Sequence, residues 1–192
     1  MARPRTVDEE ELIARLGGVF RDVGYEGASL AMLSQATGLQ KASLYHRFPG
    51  GKQQMAEEVL AAALAWVGEN VIARLAGEGP PAARLAAAIR SFDGFYSGGR
   101  QACLLNMLAS PRIEAGPFSA AIQSALGMLT DGFAKLARDA GHPARLARQK
   151  AERALMLVQG SLVLARGIGS PEPFRNALRY LPEELLSSAR AT

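Results

Sequence analysis

The sequence predicts an all-α protein. Apolar residues recur every three or four positions through most of the 192 residues, and this is the spacing of one face of an α-helix. No segment shows the alternation of apolar and polar residues that is typical of a half-buried strand. Clusters of glycine and proline, of which residues 77–81 (GEGPP) are the strongest, separate the apolar segments and predict helix ends.

Nine helices are expected, and several of their ends carry suitable capping residues. The pattern T-V-D-E at residues 6–9 fits a capping box before the first helix, and Ser29 is a good N-cap for the second. Pro117 can occupy the first turn of a helix, whereas Pro182 should kink or split the last one. The predicted helices cover about residues 8–23, 29–38, 40–46, 52–76, 85–96, 100–109, 117–140, 144–166 and 171–189.

The composition predicts a cytoplasmic protein that needs no metal, cofactor or membrane. Cys103 is the only cysteine, so no internal disulfide can form. Residues 1–10 carry charges of both signs and do not form a signal peptide, and the longest apolar run, 154–165, is too short to cross a bilayer. The two histidines, His46 and His142, have no cysteine or carboxylate cluster at the spacing of metal ligands.

One segment has an unusual charge distribution. Residues 27–56 contain no aspartate or glutamate, yet they hold Lys41, His46, Arg47 and Lys52. A purely basic segment inside a chain of mixed charge, with a net charge of only +4 overall, indicates a local anionic partner.

The same segment has the pattern of a helix-turn-helix. Two short helices are joined at Gly38, which can adopt a positive φ, and Ser34 is small where the helices must approach closely. Leu33, Leu39 and Leu44 can form the inner seam. The alternative is a purely structural helical hairpin with a solvated polar face. The residues left to face outwards are of the types that contact bases and phosphates, namely Gln40, Lys41, Ser43, Tyr45 and His46.

The stretch SLAMLSQATGLQKASLYHRFPGGK resembles the DNA-binding signature of the TetR (tetracycline repressor) family, roughly S/T-V-x-x-I-A-x-x-A-G-V-S-x-G-x-L-Y-x-H-F-x-x-K. The resemblance covers residues 6 to about 60. Gln40 replaces the usual capping serine, Arg47 stands where histidine is common, and Gly50–Gly51 makes the loop before Lys52 one residue longer. The FPGGK and GGRQACLL segments are similar to the branch that includes the LmrA and YxaF repressors.

The resemblance implies two domains and a set of DNA contacts. Residues 1–50 would form a three-helix helix-turn-helix domain, and a long helix would join it to a helical ligand-binding and dimerisation domain, residues 51–192. Arg3 and Arg5 are additional basic residues whose contact with DNA is left open. The residues expected to contact double-stranded DNA are Ser29, Gln40, Lys41, Ser43, Tyr45, His46 and Lys52.

The resemblance also implies a pocket for a hydrophobic small molecule and a homodimer. The expected pocket residues are Trp66, Phe92, Phe95, Tyr96, Cys103, Met107, Met128, Phe133, Met156 and Gln159. The expected dimer residues are Leu155, Val158, Leu162, Ala165, Phe174, Leu178, Leu181 and Leu185.

The sequence therefore predicts a transcriptional regulator that binds a palindromic operator as a dimer, most simply a repressor released by its ligand. Three alternatives stay open at this point. The protein could be an activator of the same family, or a helical ligand-binding module without affinity for DNA. It could also be an enzyme that uses Cys103, although a buried structural thiol is the favoured reading of that residue.

Overall fold

The structure is a computed structural model that describes residues 8–110 and 116–187, and within these ranges every regular element is helical. The all-α prediction is therefore confirmed. The elements are α1 (Glu9–Gly27), α2 (Leu30–Thr37), α3 (Lys41–Arg47), α4 (Gly51–Val67), a π-helical turn (Gly68–Ile72), α5 (Ala73–Ala76), α6 (Pro81–Phe95), a 3-10 turn (Ser97–Gly99), α7 (Leu104–Leu108), α8 (Ser119–Asp139), α9 (Ala144–Ile168) and α10 (Glu172–Leu186).

The fourth predicted helix has nearly the predicted bounds but is less regular than its pattern indicates. Helix α4, the π-helical turn and α5 continue one another as a single helix, Gly51–Ala76. By length and composition alone this helix could cross a membrane. One such helix is weak support for a membrane protein, because helices of soluble proteins pass the same test.

The chain divides into two compact units. Unit 1 comprises Met1–Leu64 and Leu104–Ser119, and unit 2 comprises Ala65–Cys103 and Ala120–Thr192. The structural division thus lies within the long helix and assigns α7 to unit 1. The predicted functional boundary between residues 50 and 51 stays a prediction.

Unit 1 is built on the apolar face of α1. Leu12, Leu16 and Phe20 are buried along this face at helical spacing. The first residue before the helix, Asp8, makes no side-chain capping hydrogen bond, and Thr6 of the predicted capping box lies outside the described residues. Near its end the helix is interrupted at Gly24, which has φ 74° and ψ 176°.

Unit 2 contains a tightly packed pair of long helices, α9 and α10. Pro182 lies inside α10, which is not split and continues to Leu186. The buried Lys150 of α9 donates to the main-chain carbonyl of Glu184, 2.5 Å away, near the end of α10. A cation at this end of a helix satisfies a free carbonyl and complements the helix dipole.

Candidate nucleic-acid interface

Helices α2 and α3 and the turn between them have the local geometry of a helix-turn-helix. Ser29 caps α2, because its Oγ accepts a hydrogen bond of 3.2 Å from the amide of Met32. Gly38 ends the helix with φ 71°, a conformation that glycine adopts readily. Ser34 donates from its Oγ to the carbonyl of Leu39 at 2.6 Å, which ties the end of α2 to the turn.

Helix α3 is anchored by one face and exposed on the other. Leu44 and Phe48 are fully buried. Gln40 precedes the helix and forms no side-chain capping bond, which agrees with the weaker cap expected there. The predicted DNA contacts on this segment all have exposed side chains: Ser29, Gln40, Lys41, Ser43, Tyr45 and His46. The exposed face of α3 therefore combines a cation with hydrogen-bonding groups.

Arg47 is the one cation of the acid-free segment that is neutralised within the fold. Its guanidinium forms a paired contact with Glu58, with Nη1–Oε1 at 3.2 Å and Nη2–Oε2 at 2.7 Å, and its Nε donates to Glu9 at 2.8 Å. Hydrogen bonds to Glu9 and Glu58 raise the pKa of Arg47, and the hydrogen bond from Arg47 lowers the pKa of Glu58. The same guanidinium carbon lies 4.4 Å from the centre of the Phe48 ring. Arg47 thus joins the end of α3 to α1 and α4.

Lys52 is half-buried, unlike the other predicted DNA contacts. Its Nζ donates to the carbonyl of Tyr25 at 2.8 Å and lies 4.4 Å from the centre of the Tyr25 ring. Burial, followed by the charges of Glu26 and Glu57, raises the pKa of Tyr25. The phenol therefore stays protonated, and the ring that supports Lys52 stays neutral.

The break before α4 brings the backbone close to the face of α3. Gly51 has φ 65°, and a Cβ added there would lie 3.7 Å from the ring of Tyr45. The amide of Gly50 donates to Oε1 of Gln54 at 2.8 Å. Lys52 and the first turn of α4 are consequently held in unit 1 together with the exposed side chain of Tyr45.

The structure brings some of the predicted pocket residues together in unit 2. Trp66 stacks on Phe95 with ring centres 4.6 Å apart, and Phe92 packs against Phe133 at 6.2 Å. The Tyr96 hydroxyl lies 3.6 Å from the sulfur of Cys103, and both residues are buried. These contacts define an aromatic cluster, which we use as the name for Trp66, Phe92, Phe95, Tyr96 and Phe133.

The remaining predicted pocket residues lie on α7, α8 and α9. Met107 is on α7 in unit 1, and Met128 on α8 is exposed. Met156 and Gln159 are on α9, where Met156 is exposed and Gln159 is half-buried.

The predicted dimer residues pack within a single chain. All but the half-buried Leu155 are buried by the chain's own side chains, and Phe174, Leu181 and Leu185 have no exposed surface. A side chain that is already covered cannot offer apolar surface to a second copy. The exposed apolar residues of these two helices are instead Met156, Val163, Leu164, Ile168 and Tyr180.

Part of this exposed set borders a groove between α9 and α10. The groove has a volume of 270 Å³ and is lined by Met156, Gly160, Leu164 and Tyr180 among others. The hydrophobic pattern could not separate this face from the intramolecular seam, because α9 carries apolar residues on more than one side.

Two contacts of unit 1 were not predicted from the sequence. Tyr25 lies in the segment GYEG, which does not indicate that Lys52, 27 residues later, contacts it. Arg47 lies in the segment YHRF, which does not indicate a contact with Glu9, 38 residues earlier. In the described part of the chain, no group of three or more His, Cys, Asp or Glu side chains could hold a metal ion.

Comparison with known families identifies the helix-turn-helix region. The model of the family described as "Bacterial regulatory proteins, tetR family" matches residues 18–59, which include α2, α3 and the start of α4. Over 51 residues the chain is 37% identical to the HTH-type transcriptional regulator LmrA of Bacillus subtilis (strain 168). This match covers 27% of the chain and 27% of that relative.

Solved structures match over nearly the whole chain. A TetR transcriptional regulator from Legionella pneumophila has a TM-score of 0.81 at 16% identity, with 95% of this chain and all of that chain covered. A cysteine mutant of the TetR family transcriptional regulator CifR, in complex with 26-bp double-strand operator DNA, has a TM-score of 0.76 at 25% identity. In that comparison 97% of this chain and 100% of the CifR chain are covered.

Proposed function

We propose that the chain, whose residues 18–59 match the tetR family of bacterial regulatory proteins, is a cytoplasmic transcriptional repressor of that family. It binds a palindromic operator as a homodimer and is released when a hydrophobic small molecule binds. The family consists of transcriptional regulators and not of enzymes. The observation that supports the proposal is the exposed polar face of α3. The opposite face of this helix is held by the buried Leu44 and Phe48, and the whole helix lies inside the region that the family model matches.

The exposed face of α3 supplies two kinds of contact. Gln40 and Lys41 lie at the start of the helix and are suited to base edges in the major groove. Tyr45 and Lys52 lie next to the glycine break and are suited to phosphate oxygens. A phosphate is also favoured at the start of α4 by the helix dipole.

Lys52 would have to exchange one partner for another on binding DNA. In the free protein its ammonium donates to the carbonyl of Tyr25. The donor of that bond is charged but its acceptor is neutral, whereas a phosphate offers a charged acceptor and so adds the attraction between opposite charges. The exchange is therefore favourable where the duplex comes within reach.

The dimer would form through the exposed face of α9 and α10, which is not the face predicted from the sequence. Leu164 and Tyr180 are 58% and 56% exposed, and Gly160 leaves space beside them because nothing lies within 4 Å of a Cβ added there. A monomer leaves this apolar surface in water, and burying it against a second copy is favourable by about 25 cal/mol per Å². A two-fold dimer also presents two α3 helices to the two halves of a palindrome.

The effector would bind in unit 2 beside the aromatic cluster. The rings of the aromatic cluster stack or meet edge to face, and the Tyr96 hydroxyl and Cys103 lie among them. The cluster therefore offers apolar walls and few polar groups, as small-molecule sites do. A ligand that prefers the form of the protein with low affinity for DNA shifts the equilibrium towards that form. A coupling of about 1–3 kcal/mol would weaken operator binding roughly 5- to 150-fold.

A footprinting experiment on the DNA that flanks the protein's own gene tests the proposal. We expect protection of a palindrome, with half-sites spaced by about one helical turn, and an affinity that falls steeply as salt is raised. A random duplex of equal length is the control. Binding of equal strength to the random duplex, or no binding at low salt, would contradict the proposed function.

A further inference from the structure

We propose that unit 1 contains a ligand site of its own, a cleft beside Tyr25 that takes a small aromatic molecule without negative charge. A molecule bound there would hold Lys52 in its internal contact with Tyr25 and thereby weaken DNA binding. This second step rests on the function proposed above, whereas binding to the cleft does not.

The cleft exists because α1 breaks at Gly24 and α7 passes close to the break. A Cβ at Gly24 would lie 3.2 Å from the carbonyl oxygen of Met107, so the backbone of α7 approaches where a side chain would otherwise stand. The cleft between these segments has a volume of 510 Å³. That is within the range of about 300–1,000 Å³ typical of small-molecule sites.

The walls of the cleft favour an aromatic molecule. Tyr25 and Phe118 line it and meet edge to face, with ring centres 4.9 Å apart. Met107 adds a thioether, a group that makes favourable contacts with aromatic rings. Val23 is 36% exposed at the same place, so apolar surface that a ligand could cover is in contact with water.

The charge at the cleft selects against anions. Glu26 is exposed and lines the cleft. The negative charges of Glu26 and Glu57 both contribute to the raised pKa of Tyr25. Lys52 lies above the Tyr25 ring, but its ammonium is already held by the Tyr25 carbonyl. A neutral or cationic substituent therefore suits the rim, and a carboxylate or sulfonate does not.

Tyr25 connects the cleft to the proposed DNA contact. Its side chain forms part of the wall, and its carbonyl and ring both hold the ammonium of Lys52. A ligand packed against the Tyr25 ring stabilises this arrangement of residues 24–26. Lys52 then keeps its internal partner and is less available to a phosphate.

Three probes of one shape and different charge test the site in the protein without DNA. Naphthylmethylamine, naphthylmethanol and naphthoate are titrated into the full-length protein, and binding is followed by calorimetry. We expect saturable binding of the amine and the alcohol, with the carboxylate weaker by up to about fivefold. The variant Glu26→Gln should reduce the difference between amine and carboxylate. No saturable binding of any probe, or tightest binding of the carboxylate, would overturn the proposal.

Two variants that fill the cleft locate the bound probe. Val23→Trp and Ala109→Trp each place an indole in the cleft from a lining position, and Ala61→Trp places the same group at an exposed site of α4 as the control. We expect at least tenfold weaker binding of naphthylmethanol to either cleft variant and unchanged binding to the control. Unchanged binding to both cleft variants, each with a wild-type circular dichroism spectrum, would place the probe elsewhere and refute the site.

Operator titrations with and without naphthylmethanol then test the connection to Lys52. We expect the probe to weaken operator binding of the wild type and of Lys41→Ala, but not of Lys52→Ala, because only that variant lacks the connected lysine. Bound probe that leaves the operator affinity of the wild type unchanged would refute the connection. A protein that binds the probe but no DNA at all would instead refute the proposed function and leave the site standing.

Discussion

The contacts of Arg47 make a quantitative prediction about how α3 is held in place. Replacing Arg47 with methionine removes both carboxylate contacts but keeps an apolar stem against Phe48. The side chain of Arg47 is 37% exposed and that of Glu9 is 57% exposed, so solvent screens much of the attraction. Exposed pairs contribute about 0.2–1 kcal/mol each, and the position of the guanidinium over the Phe48 ring contributes about 0.5–1 kcal/mol more. We expect Arg47→Met to lower the free energy of unfolding by about 1–3 kcal/mol.

A double-mutant cycle with Glu58→Gln isolates the paired contact. Urea denaturation followed by circular dichroism should give a coupling of about 0.5–1 kcal/mol between Arg47 and Glu58. Glu57→Gln, which changes the neighbouring exposed carboxylate, is the control and should be additive with Arg47→Met. Equal additivity of both pairs would refute the view that the Arg47–Glu58 contact stabilises unit 1.

The pH dependence of this coupling has a definite sign. The pKa of Glu58 is lowered in the folded protein, chiefly by its hydrogen bond with Arg47. The unfolded chain therefore binds more protons on acidification, and stability falls. The contribution of the pair is complete above the ordinary glutamate pKa of about 4.3. It is lost as the pH drops below that value through the lowered pKa, and Arg47→Met should lack this part of the acid dependence.

Four further substitutions test the proposed contacts with DNA and with a second copy. Lys52→Ala should weaken binding to all duplexes alike and reduce the slope of log affinity against log salt by about one counterion per monomer; an unchanged slope would contradict phosphate contact. Lys41→Ala should cost about 1–3 kcal/mol on the preferred operator and less on a mismatched one, and equal losses would assign it to the backbone. Leu164→Glu should give a folded monomer in sedimentation experiments, whereas Leu162→Glu should destabilise the fold, since Leu162 is buried within one chain. A dimeric Leu164→Glu protein would refute the proposed interface.

The helix-turn-helix could be predicted because each of its requirements is local. The N-cap Ser29, the turn at Gly38 and the leucine spacing can all be recognised within about 16 residues of sequence. The structure has the expected cap and turn, with Leu33 and Leu44 fully buried and Leu39 half-buried. The exposed side chains of α3 could be predicted as well, because they occupy the helix positions that do not face the buried leucines.

The contacts made over long separations could not be predicted in this way. The internal partners of Lys52 and Arg47 are placed by the packing of α1 against later helices, and no local pattern encodes that packing. In α9 the spacing of Val158, Leu162 and Ala165 correctly indicates an apolar face. It does not say whether the chain's own helices or a second copy cover that face, and the structure shows that these residues are already buried within the single chain.

The closed seam between α9 and α10 has a consequence for how two chains would come together. Phe174 and Leu181 are fully covered before any partner arrives, and Lys150 ties the two helices at the end of α10. Association would therefore join two preformed surfaces, with little of the folding that accompanies assembly of obligate dimers. Dilution should release protomers that stay folded, and below the dissociation constant the melting temperature should no longer depend on protein concentration. Mixed dimers of tagged and untagged chains should accordingly form by simple exchange, at a rate set by dissociation and not by unfolding.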